Sequence, residues 1–264
     1  MLPLYLVIET SGELGNHLTA INDGLDALVR SLQTEPDVAG ALGMAVIEFG
    51  DGPNCCLDLT EVRLIETAPV CTGGGETSAE IVLVDLRTRI DREVGSLLDA
   101  GSLVRQPLVL ILTTGLASGS ASWSTAVQVL HDPSWSFRPH IFAYGFGSCD
   151  PELIAALPDR PPWAYMPAPD REIATSLGAL FDTWSQLLPI MSRRLGGGDT
   201  ESEISGAEDR PKQAQSATSP RPEGFLWVWD VIDAIDAAEF QAALRESRKT
   251  TRAITPREVV SLGD

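Results

Sequence analysis

In the stretch "YLVIETSGEL", residues 5–14, an apolar run stops at Glu9, and Ser11 and Glu13 follow at alternate positions. Two carboxylates crowded around one point raise each other's pKa unless a cation or a hydrogen-bond donor sits between them. Two further stretches offer the same chemistry: "CTGGGETS" at 71–78, which contains Thr77, and "TTGLASGSAS" at 113–122, which contains Thr114. Serine, threonine and carboxylate on tight, glycine-rich backbone are hard oxygen donors, the kind that suits Mg²⁺, Ca²⁺ or Mn²⁺. Other chemistries find less support. No Lys-Ser/Thr follows Gly73–Gly75, so the phosphate-loop pattern fails. The chain has three histidines (His17, His131, His140), no Gly-x-Ser-x-Gly, and no base adjacent to Cys149, which leaves little for a nucleophilic hydrolase. The cysteines show no metal-ligand spacing.

Positioning three such loops together is the work of the elements between them. Pro3–Ile8, Met44–Phe49, Leu108–Thr113 and His140–Phe146 are short apolar runs bounded by Gly, Asp or Pro, the look of strands covered on both faces. Cys55–Leu59, after the turn "GDGPN", reads as an antiparallel edge strand against Met44–Phe49, with one thiol of Cys55-Cys56 on each face. Leu18, Ile21, Leu25, Leu28 and Leu32 follow helical spacing. So do Leu83, Leu86, Ile90, Val94 and Leu97, and then Ile173, Leu177, Leu180, Phe181, Trp184 and Leu188. Strands alternating with helices imply an α/β domain of three layers, with a mainly parallel sheet between helices. Ligands of such sheets bind outside the carboxyl ends of the strands, where all three oxygen-rich loops meet.

Composition limits the partners. With 37 acids against 19 bases the net charge is -18, which disfavours nucleic acid, whose affinity rests on Lys and Arg. An acidic surface suits solubility, cations or a basic protein partner. No run is apolar enough to span a membrane, and the N-terminus lacks the basic region of a signal peptide. A cytoplasmic protein with reduced thiols is expected. Residues 1–195 form the body, and 196–222 read as a flexible linker too polar to repay its ordering. Residues 223–264 are too short for a core of their own, yet Phe225, Leu226, Trp227, Val228 and Trp229 are too apolar to stay solvated. That patch lacks the flanking Lys or Arg of a membrane anchor. It is expected to dock on the chain's own domain, followed by a helix over Val231–Leu244.

At this point the frame "YLVIETSGELGNHLTAINDGLDALVRSL", with Asn22, Gly24 and Leu25, resembles the start of a von Willebrand factor type A (VWA) domain. The likeness is to the bacterial branch found with tellurite-resistance operons. "GGGETSAEI", "VLILTTGLAS" and "FAYGFGSCDPELIAAL" take the places of later family segments, so the resemblance covers residues 3–195. It implies a metal-ion-dependent adhesion site built from one Asp and two Ser of the first loop, a Thr of the second and an Asp of the third. Carried over position by position, it gives Glu9, Ser11, Glu13, Thr77 and Thr114 as metal-ligating and partner-binding residues. Only Ser11 and Thr77 match by type. Glu9 is longer than Asp by a methylene, about 1.5 Å, and the third-loop carboxylate has become Thr114 while Glu13 adds one to the first loop.

Two outcomes follow for this degenerate site: Glu13 replaces the lost charge and Mg²⁺ or Ca²⁺ still binds, or the site no longer holds metal. On either, the expected function is a non-enzymatic protein-binding or scaffolding module. The alternative is a metal-assisted hydrolase, for which only Glu9 or Glu13 could serve as base.

Overall fold

A computed structural model describes residues 1–50, 52–75, 79–115, 121–158, 163–194 and 222–227. Seven strands form one sheet: β1 (Leu2–Glu9), β2 (Leu42–Phe49), β3 (Pro53–Glu61), β4 (Leu108–Thr113), β5 (His140–Gly145), β6 (Ala164–Pro167) and β7 (Phe225–Trp227). Their order is β3-β2-β1-β4-β5-β6-β7. The five central strands run parallel, and β3 and β7 close the two edges antiparallel. Every residue of β1, β2 and β4 is buried, because helices cover both faces.

Alternation along β1 divides the core. Leu4, Leu6 and Ile8 pack with α2 (Leu18–Gln33), α3 (Pro36–Ala41) and α7 (Ile173–Arg194). Tyr5 and Val7 face α4 (Ala79–Asp99), α5 (Ala121–His131) and α6 (Pro151–Ala156). The three expected helical stripes are therefore α2, α4 and α7. Two residues of the opening frame have structural work here. A Cβ at Gly24 would lie 2.1 Å from the Phe181 ring, so glycine lets α2 approach α7. Asn22 grips Cys71 from α2, donating from Nδ2 to its carbonyl at 3.0 Å and accepting its N–H at 2.9 Å.

Chain order reverses at β1, whose neighbours β2 and β4 lead outward in opposite directions. That makes the carboxyl end of β1 and β4 the topological switch point, the place where sheets of this kind bind ligands.

The four parallel strands and the edge hairpin fall where the sequence placed them. Cys55 and Cys56 do take opposite faces: Cys55 meets Arg89 of α4, and Cys56 packs on the α2 side. The sequence pattern did not show β6 and β7. "AYMPAPD" around β6 carries two prolines, and β6 pairs with β5 at only two positions, Ala143 with Ala164 and Tyr144 with Tyr165. β7 takes its register from β6, with Pro167 opposite Phe225 and Tyr165 opposite Trp227. Phe225 is 3% exposed and meets Tyr144 and Phe146 edge-on, with centroids 6.0 and 5.8 Å away. Residues 195–221 and 228–264, which hold most of the expected linker, Trp229 and the expected helix over Val231–Leu244, lie outside the described residues.

Candidate functional site

The switch point is built around one buried carboxylate. Glu9 ends β1, and only 1% of it is exposed. The adjacent β4 ends in Thr113, followed by Thr114, both buried. The extra methylene of Glu9 carries its carboxylate across to β4. Oε2 accepts the Thr113 hydroxyl at 2.5 Å and the Thr114 N–H at 2.7 Å. Oε1 accepts the Thr114 hydroxyl at 2.8 Å and the Ser11 hydroxyl at 3.0 Å. Burying a charge is costly unless donors replace its water, and bonds to a carboxylate are among the stronger ones. These donors surround the carboxylate on both oxygens.

The neighbouring loops are tied to the same point. Thr10 N–H donates to the Phe49 carbonyl at 2.9 Å, and Gly74 N–H donates to the Thr10 carbonyl at 3.3 Å. Thr113 Oγ1 accepts the Gly115 N–H at 2.9 Å. Glu48, the acid inside the apolar run of β2, is 4% exposed and braces the 71–75 loop. It accepts from Thr72 N–H at 2.8 Å, Gly73 N–H at 3.1 Å, Thr72 Oγ1 at 2.9 Å and Asn54 Nδ2 at 2.7 Å. Burial raises the Glu48 carboxyl, but the bonds from Asn54, Gly73 and Thr72 outweigh it and hold its pKa below the ordinary value.

Glu13 has a different partner. It lies in α1 (Gly12–Gly15) and accepts the Ser148 hydroxyl, from the loop after β5, at 2.9 Å. A Cβ at Gly147, where φ is +61°, would fall 1.8 Å from Glu13 Oε2, so that loop needs glycine to pass the carboxylate. Gly147 and Ser148 are exposed, and Glu13 is half-buried.

Of the residues expected at the site, the structure gathers Glu9, Ser11 and Thr114. It turns Glu13 to the rim, and Thr77 lies outside the described residues. Thr113, Glu48 and Ser148 were missed. The Thr-Thr doublet at the end of β4 and an acid within "MAVIEF" were the available signals; Ser148 had none.

This donor set is a poor match for a hard divalent cation. Mg²⁺ asks for near-ideal octahedral oxygen geometry and is commonly held by carboxylates. Here the buried carboxylate meets hydrogen-bond donors on both oxygens, and Thr114 brings a neutral hydroxyl. Nucleophilic chemistry is also poorly served. Burial pushes the Cys149 thiol up to about 12, and His131 Nε2 lies 2.9 Å from the Leu157 carbonyl.

No family model and no curated protein matches the sequence. Solved structures do. Proximal thread matrix protein 1 from the mussel byssus is 14% identical with a TM-score of 0.50, over 71% of this chain and 48% of that one. The pilus adhesin SpaC from Lactobacillus rhamnosus GG is 13% identical with a TM-score of 0.54, over 71% and 30%. A von Willebrand factor type A structure from Catenulispora acidiphila is 12% identical with a TM-score of 0.47, over 71% and 42%. The chain thus spans less than half the length of each. At these identities the likeness to the first two shows the fold alone, a mostly parallel sheet between two helical layers.

Proposed function

We propose that this chain is a non-enzymatic, cytoplasmic protein-binding module of VWA type, of the branch found with tellurite-resistance operons. Its recognition surface is the carboxyl edge of the sheet, and it works there without a resident divalent cation. The observation that carries this is the closure of Glu9 by Ser11, Thr113 and Thr114. A hydrolase would need Glu9 or Glu13 as a base beside an open metal position; the acceptor positions of Glu9 face donors instead, and Glu13 accepts from Ser148. Recognition then falls to the rim, where Glu13 lies beside exposed Gly147 and Ser148. With a net charge of -18, a basic partner is favoured, because complementary charge speeds encounter. Phe225–Trp227, the described start of the C-terminal segment, pairs with β6, which supports the reading that this segment docks on its own domain.

The test is capture from the native host on immobilised wild-type protein and on Glu13→Lys, with hits confirmed using purified partner. A basic protein retained by the wild type, released by salt and lost with Glu13→Lys, supports the proposal. A purified partner that binds both proteins equally contradicts it.

A further inference from the structure

Beside the site lies a second cluster, on the face of β2 and β3 that packs under α2. Glu48 of β2, Cys56 of β3 and Cys71 at the head of the 71–75 loop each present one ligand atom, all within 4.8 Å of one another. Glu48 and Cys71 are buried, and Cys56 is half-buried.

We propose that Cys56, Cys71 and Glu48 form a site for a borderline-to-soft divalent cation of the Zn²⁺ class. Thiolate ligands select such ions over Mg²⁺ and Ca²⁺. Tetrahedral bonds to sulfur at about 2.3 Å and to oxygen at about 2.1 Å set neighbouring ligand atoms roughly 3.5–3.8 Å apart. The observed cluster lies within a small adjustment of that spacing.

The surroundings divide the Glu48 carboxylate into two roles. Oε2 is held by backbone, the N–H groups of Thr72 and Gly73. Oε1 is held by side chains, Thr72 Oγ1 and Asn54 Nδ2, which can rotate away. Oε1 is therefore the ligand, and the Oε2 bonds orient it, as outer-shell partners do for metal-bound carboxylates. Asn22 fixes the Cys71 backbone from both sides, so that thiol is positioned before any ion arrives. Cys56, the half-buried member, is the side from which an ion would enter.

Binding balances in charge: the divalent ion replaces the two thiol protons, which pass to solvent as two new metal–sulfur bonds form. Cys55 takes no part: its thiol lies on the opposite face, beside Arg89 and Asp58. Binding would also fasten the 71–75 loop to β2 and β3.

Cobalt(II) is the probe, added to the reduced, metal-free full chain. Expected are intense tetrahedral visible bands and near-ultraviolet thiolate-to-cobalt charge transfer, saturating at one ion per chain and erased by added Zn²⁺. Both should be lost in Cys56→Ser and Cys71→Ser and retained in Cys55→Ser and Cys149→Ser. Should Cys71→Ser fail to fold, Cys56→Ser decides, together with Zn²⁺ protection of the wild-type thiols from alkylation. The proposal is overturned if the wild type gives no thiolate-to-cobalt band, or if the band survives in Cys56→Ser.

Discussion

Glu9 and Thr114 are joined twice, through the Thr114 N–H to Oε2 at 2.7 Å and the Thr114 hydroxyl to Oε1 at 2.8 Å. The residue standing where the family resemblance implies a metal-ligating aspartate is thus a double donor to the first-loop carboxylate. The longer Glu9 side chain supplies the reach and Thr114 supplies the donors.

Thr114→Val keeps the shape and the N–H but removes the hydroxyl. Leaving a buried carboxylate oxygen short of a donor costs about 1–3 kcal/mol, read as a lower urea midpoint with an unchanged slope. Adding Thr113→Val should cost further, and less than additively if the two donors share one network. A change within error for both would show that Glu9 is not held as described.

Thr114→Asp places a second carboxylate against Glu9. One of the pair then titrates at raised pH, so the destabilisation should be present at neutral pH and fade as the pH falls toward 4. Mg²⁺ should raise the melting temperature of this variant and not that of the wild type. Glu13→Ser should add little, because Glu13 is bonded to Ser148.

The Glu48 brace gives an acid-side signature. Its folded carboxyl pKa is depressed, so its contribution is full above the unfolded value of about 4.3 and lost as pH falls through the folded one. The stability gap between wild type and Glu48→Gln should be constant from pH 7 to 5 and close on further acidification. A gap that widens in acid would reverse the sign and the assignment.

Phe225 anchors the strand that closes the sheet. Phe225→Ala should cost up to about 3–5 kcal/mol, the range for a buried phenylalanine. Deleting residues 223–264 should bare the β6 edge and bind a hydrophobic dye. A truncated protein of equal stability with no new dye-binding surface would assign the tail to a partner.

The sheet was legible because a strand covered on both faces must be apolar throughout, as β1, β2 and β4 are. β6 was hidden by its prolines, and β7 by having no register except the one β6 imposes. At the site, type and spacing drew attention to Glu9 and Ser11, and the family resemblance added Thr114. They could not reveal which way Glu13 turns, since that depends on Gly147 and Ser148, distant in sequence. Glu48 was legible in principle, as an acid in an apolar strand needs donors, but those donors come from the 71–75 loop and from β3.

The central proposal is that donors of the chain itself, rather than a metal, hold the Glu9 carboxylate. Isothermal titration of the wild type with Mg²⁺, Mn²⁺ and Ca²⁺ tests it most directly. The expected result is no saturable binding below about millimolar concentration, and no change when Glu13 is replaced by Ala. Micromolar Mg²⁺ binding that disappears in Glu9→Ala would contradict it.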